Sequence, residues 1–113
     1  MPTTTQLPRS VIAFLRTHVD HVVKLRFLLL LHRAPGGIIP VHVAARDLDI
    51  PKAQVRDMAN ELAADGLVRA TPDEIELVPR SIDDRLALED LVRWYESDRS
   101  LVLEVLRAMG RAS

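Results

Sequence analysis

The spacing of apolar positions predicts a chain of short helices interrupted by one small β-hairpin. Near the N-terminus, apolar residues recur at helical spacing from Ile12 to Leu29, and the breaker Pro35-Gly36-Gly37 ends this helical region. Thr17 and Asp20 form a capping pattern within it, which allows a break near Thr17. Between residues 25 and 31 the single polar residue is Arg26. A helix that is apolar on nearly all sides is normally buried on nearly all sides, so we expect a partner subunit to cover part of it.

The middle of the chain predicts a strand, two helices and a hairpin. Ile38-Ile39 predicts a short strand, and Pro40 suits the start of a second helix over residues 41–48. A third helix is predicted from about residue 52 to residue 65, with Gly66 as its left-handed C-cap. Residues 67–70 and 75–78 then alternate around a Pro-Asp turn, which is typical of a β-hairpin.

The C-terminal part predicts one long helix. Ser81 and Asp84 form a capping pattern at its start, and the helix is expected to extend towards Met109 with a weak point between Ser97 and Ser100. A heptad of mostly apolar residues follows one side of it. Its members are Leu88, Leu91, Tyr95, Asp98, Val102, Val105 and Met109. We expect the apolar members to form a homodimer interface; the alternative is a helix folded back on its own domain.

Five residues in the middle of the chain carry a known pattern. Ala45, Leu48, Asp49, Ile50 and Val55 stand where a helix-turn-helix has a small residue, a leucine, a turn residue, an isoleucine and a valine. With the order of the predicted elements, they resemble the winged helix-turn-helix of dimeric bacterial regulators of the MarR-like and PadR-like kind. The resemblance implies an α+β, mostly helical fold, and it does not assign a subfamily.

The resemblance also implies a domain organisation and a function. We expect a polar arm over residues 1–8, a winged helix-turn-helix domain over 9–79 and a C-terminal dimerisation helix over 80–113. The implied function is that of a DNA-binding transcriptional regulator with its third helix in the major groove. This chain departs from the family pattern in having Asp49 at a turn position usually held by glycine. Its wing tip, Pro72-Asp73-Glu74, is acidic, so we expect the wing not to contact DNA.

The outward positions of the predicted third helix are the candidate DNA contacts. Lys52 and Arg56 are four residues apart and suit phosphate or guanine, whereas the side-chain amides of Gln54 and Asn60 suit adenine. Asp57 weakens the positive charge of this face. The simpler interpretation is therefore an ordinary solvent-exposed surface that binds no nucleic acid. The alternative function is a winged-helix protein–protein interaction module without DNA binding.

Composition and charge restrict the kinds of site and the cellular location that the sequence allows. The 113-residue chain contains no cysteine and has a formal net charge of −1, with a basic N-terminal third and an acidic C-terminal third. Thiolate zinc sites and disulfides are therefore excluded. No segment has the length and apolarity of a membrane span, and we expect a cytoplasmic protein. His18 and His21, three residues apart, have a spacing compatible with a metal sensor, but we expect no metal, no cofactor and no catalysis.

Overall fold

A computed structural model describes residues 6–110 of the chain. It contains, in chain order, α1 (Arg9–His18), α2 (Val22–Arg33), a 3-10 turn (Pro35–Gly37), β1 (Ile38–Pro40), α3 (Val41–Leu48), α4 (Lys52–Ala64), β2 (Val68–Ala70), β3 (Glu74–Leu77), α5 (Ile82–Ser97) and α6 (Arg99–Ala108). The strands form one antiparallel sheet in the order β1-β3-β2. The predicted α+β, mostly helical class is confirmed.

The N-terminal helical region breaks close to the predicted point, over residues 19–21. Helix α1 ends at His18, and His21 caps α2 because its Nδ1 accepts a hydrogen bond from the backbone N–H of Val23 at 3.1 Å. A histidine cap was not anticipated from the capping pattern at Thr17. Within the predicted polar arm, Leu7 is buried, and residues 1–5 lie outside the described part of the chain.

Helix α2 is the centre of the core. Leu25, Phe27, Leu28 and Leu31 have no exposed surface in the single chain. Helix α3 and strand β3 pack directly on α2. Most of the apolar side chains of this helix are therefore enclosed within the protomer, and a partner subunit over the remaining surface stays a prediction.

A left-handed turn sets α3 against α4. Asp49 has φ 55° and ψ 51°, and the N–H of Ile50 donates to the carbonyl of Ala45 at 3.0 Å. Aspartate adopts this conformation more readily than most residues, so the turn forms here without a glycine. Ala45 and Val55 are both buried where the two helices approach. The turn predicted between these helices is confirmed.

The sheet is small and its turn is tightly bonded. Ile75, at the centre of β3, pairs with Ile39 of β1 and with Ala70 of β2 and is fully buried. The Thr71 hydroxyl accepts hydrogen bonds from the N–H groups of Asp73 and Glu74 at 3.4 and 3.1 Å. Gly66 precedes the sheet with φ 80°, as the predicted C-cap requires.

The predicted long C-terminal helix is two helices. Ser81 caps α5 as expected, accepting from the N–H of Asp84 at 3.1 Å. Asp98 then leaves the helical conformation, with φ −151° and ψ 76°, and caps α6 by accepting from the N–H of Leu101. One continuous helix is thus wrong, because an aspartate N-cap starts a new helix within the predicted weak point.

The C-terminal helices belong to the same core as the rest of the chain. Helix α5 packs along α1 and against α6. Of the predicted interface residues, Leu88, Leu91 and Val102 are buried inside the protomer. Tyr95, Val105 and Met109 are partly buried against the same core. The boundary at residue 79 and the dimer stay predictions; residues 111–113 lie outside the described part.

No helix among the described residues is both long enough and apolar enough to cross a membrane.

Replacing Leu62 by alanine tests the core at the junction of α4 and the hairpin. Leu62 is completely buried. We expect Leu62→Ala to lower the free energy of unfolding by about 2–5 kcal/mol, because the substitution leaves a cavity that the surroundings fill only in part. Urea denaturation followed by circular dichroism measures this loss. Asn60→Ala, at an exposed position of the same helix, is the matched control; an equal midpoint for both variants contradicts the packing described here.

Candidate nucleic-acid interface

The outward face of α4 holds the four candidate contact residues, but they do not form one group. All four are exposed, and the buried face of the helix is formed by Val55, Met58, Ala59 and Leu62. At about 100° per residue, Lys52, Arg56 and Asn60 fall at successive turns on the side of the helix that faces the hairpin. Gln54 falls on the opposite edge. The structure therefore brings three of the four residues together and separates Gln54 from them.

The three grouped residues border the hairpin directly. Arg56 and Asn60 line a cavity of about 280 Å³ together with the residues of the tip, Thr71 and Pro72. Arg56 Nε donates a hydrogen bond to the carbonyl of Pro72 at 3.3 Å. The side chain of Arg56 is thus held near the tip while it remains exposed to solvent.

The hairpin tip is fixed to the start of α3 as well. The N–H of Val41 donates to the carbonyl of Asp73 at 2.8 Å. The tip therefore contacts two helices at once, α3 through its backbone and α4 through Arg56. This places the short hairpin beside α4 and leaves no long flexible loop at its end.

His42 joins the candidate residues although the sequence analysis did not select it. It is exposed in the first turn of α3 and lines a second groove, of about 350 Å³, with Lys52 and Arg56. The carboxylates of Asp73 and Glu74 line the same groove. Pro40 was the feature of the sequence that could have identified His42, because a helix that starts after Pro40 places residue 42 in its first turn.

Two helix N-termini face this region. Helices α3 and α4 have Pro40 and Pro51 at their N-caps, and neither has a side-chain cap. The first N–H groups of a helix lack intrahelical partners, and the N-terminus carries a partial positive charge. Proline has no side-chain acceptor for them. An anion such as a phosphate is therefore favoured at the start of α4, beside Lys52.

The acidic groups of the face limit its positive potential. Asp57 is exposed on α4 next to Arg56, and Asp73 and Glu74 stand across the groove. Glu61 is less available, because its Oε1 lies 3.4 Å from Nζ of the buried Lys24. The face is thus mixed in charge, with its basic groups concentrated between α4 and the tip.

His18 and His21 have structural positions away from this face. The His18 ring is buried between two carboxylates, with Nδ1 3.1 Å from Asp65 Oδ2 and Nε2 3.3 Å from Asp84 Oδ1. It links α1 to the end of α4 and to the start of α5. His21 lies beyond the end of α1, so the two histidines do not share one helix. Within residues 6–110 no cluster of three or more histidine, aspartate or glutamate side chains is arranged to hold a metal ion.

Removing the His18 link should destabilise the protein. We expect His18→Ala to lower the free energy of unfolding by about 1–3 kcal/mol, because two hydrogen bonds at a buried position are lost together. Urea denaturation measures the change, and His32→Ala, at an exposed position of α2, is the control. If His18→Ala and His32→Ala lower the free energy of unfolding equally, the contacts of His18 between α1, α4 and α5 do not stabilise the protein.

Compared with known proteins, the chain matches no protein-family model and no curated protein sequence.

Proposed function

We propose that this protein is a winged helix-turn-helix transcriptional regulator that binds double-stranded DNA as a cytoplasmic homodimer. Helix α4 enters the major groove and the hairpin β2–β3 stands beside it as the wing. The observation that carries the proposal is the alignment of Lys52, Arg56 and Asn60 along one exposed side of α4, beside an N-terminus that has no side-chain cap.

The arrangement of elements supports this fold assignment. Two helices joined by a left-handed Asp49 turn are followed directly by a hairpin, and β1 completes the sheet. This is the order of a winged helix-turn-helix, in which the second helix of the pair reads the groove. The small Ala45, buried at the helix crossing, lets α3 and α4 approach closely.

Each grouped residue has a chemistry suited to DNA. Lys52, next to the start of α4, pairs with a phosphate, and the partial positive charge of the helix terminus adds to this contact. Arg56 presents a guanidinium that pairs with the O6 and N7 acceptors of guanine, while its Nε stays on the Pro72 carbonyl. Asn60 offers a side-chain amide to adenine. Gln54, on the other edge of α4, contacts a different part of the duplex.

The wing has a supporting role in this proposal. Its tip carries Asp73 and Glu74, whose charges are repelled by phosphate. The tip is hydrogen-bonded to Val41 of α3 and to Arg56 of α4, and these bonds hold the Arg56 side chain in place. Specificity then comes from α4 and not from a minor-groove contact of the wing.

A protein–protein interaction module is the second candidate function, and the mixed charge of the face favours it. Asp57, Asp73 and Glu74 surround the basic side chains, and the chain as a whole has a formal net charge of −1. A protein partner with charges of both signs would match such a surface better than a uniformly negative duplex does.

A charge reversal on α4 tests DNA binding. Fluorescence anisotropy with labelled random-sequence duplexes should show binding at low salt that weakens as salt rises, with a slope of about −0.9 for each phosphate contacted. Arg56→Glu should abolish this binding. Its fold should persist, because surface substitutions usually change the free energy of unfolding by about 0.5 kcal/mol or less.

Arg107→Glu is the matched control, since it makes the same charge change at an exposed position of α6. This variant should bind as the unmodified chain does. Equal loss in both variants would mean that net charge alone sets the affinity. Absence of duplex binding by the unmodified chain at low salt would favour the protein-interaction module.

Reversing the charge of the wing tip should have the opposite effect. In the double variant Asp73→Lys/Glu74→Lys two carboxylates of the groove become cations, so nonspecific duplex affinity should rise and its salt slope should steepen. The same anisotropy titration measures both quantities. An affinity equal to that of the unmodified chain would place the duplex far from the tip and contradict the proposed docking of α4.

A further inference from the structure

One strip of α2 reaches the surface although most of the helix is enclosed. Four residues of this strip lie along one side of the helix over two turns, because the last three follow the first by three, four and seven positions. They are Arg26, Leu29, Leu30 and Arg33. Leu29 is buried and Leu30 is half-buried, whereas both arginines are exposed. The strip therefore has an apolar centre and a cation at each end.

Two other helices make this strip one side of a groove. Asp47 and Leu48 line the groove from the end of α3, and Tyr95 lines it from α5. The volume of the groove is about 170 Å³. Pockets for drug-sized ligands begin at about 300 Å³, so this groove suits a smaller molecule. Arg99 of α6 adds a cation near the α5 side, because its guanidinium carbon lies 5.7 Å from the centroid of the Tyr95 ring.

The groove carries a positive charge that the chain does not neutralise. Within residues 6–110, the side chains of Arg26 and Arg33 form no hydrogen bond and no ion pair. Among the described residues that line the groove, Asp47 is the one with an acidic side chain. Its Oδ1 lies 3.3 Å from Nε of Arg46, a cation that does not line the groove. The two arginines are thus left available to an anion from outside the chain.

We propose that this groove binds a short aliphatic dicarboxylate. One carboxylate of the ligand pairs with the guanidinium of Arg26, and the other pairs with that of Arg33. The methylene chain between them lies over Leu29 and Leu30. The Cα atoms of residues seven positions apart on a helix are separated by about 10 Å, a span that the long arginine side chains adjust to the ligand. A guanidinium presents a planar pair of donors that matches a carboxylate.

The order of charge and apolar surface along the strip selects this class of ligand. An inorganic anion such as phosphate pairs with the arginines but leaves the leucines in contact with water. A monocarboxylate covers the leucines but leaves one guanidinium without a partner. A molecule with an anion at both ends of an apolar chain satisfies both features. The groove shares no lining residue with the surface between α4 and the hairpin tip, so this proposal does not depend on DNA binding.

Isothermal titration calorimetry of the full chain without DNA tests the proposal. Succinate, glutarate and adipate are compared at equal ionic strength, since salt screens exposed charges. At least one of the three should bind. Hexanoate, which has the six carbons of adipate but one carboxylate, and inorganic phosphate should each bind at least about tenfold more weakly than the best dicarboxylate, because each loses one set of contacts.

Two arginine variants locate the bound ligand. Arg26→Gln and Arg33→Gln should each lower the affinity for the best dicarboxylate by at least about tenfold, because each removes one charged partner of a carboxylate. Arg107→Gln, which makes the same change at an exposed position of α6, should leave the affinity unchanged. Circular dichroism melts establish that the variants fold. Absence of binding by all three dicarboxylates, equal affinity for adipate and hexanoate, or unchanged affinity in both α2 variants would each overturn the proposal, whatever the duplex titrations show.

Discussion

The burial of α2 is the constraint on which the rest of the structure depends. This helix is apolar on almost every side, so other elements have to enclose it, and α3 and β3 pack on it directly. Its one buried cation, Lys24, remains inside because Asp20 and Glu61 place carboxylate oxygens 3.0 and 3.4 Å from Nζ. A buried charge without such partners would be strongly unfavourable. With most of α2 enclosed, the outward side of α4 and one strip of α2 are left to solvent, and the two proposals concern these surfaces.

The α4 face follows from two local features. The left-handed turn at Asp49 sets α4 against α3, and the hydrogen-bonded tip at Thr71 holds the hairpin short and close. Together they expose Lys52, Arg56 and Asn60 on the side where the hairpin lies. The proposed function therefore depends on backbone geometry as much as on the identity of the basic residues.

Local features of the fold could be predicted from the sequence because they depend on neighbouring residues. Ser81, Gly66 and the turn at Thr71 act over a few positions, and each has the predicted role. The second cap at Asp98 was anticipated only as a weak point, because an aspartate inside a heptad also suits a polar contact. The assignment of apolar surfaces was less successful. A heptad pattern does not distinguish a helix that packs on its own domain from one that packs on another chain, so it did not show that Leu88 and Leu91 are buried inside the protomer.

The candidate site shows the same division between local and long-range information. Helical periodicity identified the exposed residues of α4, but it did not separate Gln54 from Arg56, because the position of the hairpin is a long-range property. His42 was missed because it belongs to another helix that the hairpin brings near. Likewise, the strip from Arg26 to Arg33 is local to α2, but the groove that it lines depends on where α3 and α5 pack.

Amide chemical shifts of the ¹⁵N-labelled chain, recorded during addition of a short random-sequence duplex at low salt, test the central claim most directly. If α4 enters the major groove, the largest shifts should fall on residues 52–60 and on His42, while α1 and the outward side of α5 should change little. Shifts confined to α1 and α5, or none at all, would contradict DNA recognition by α4.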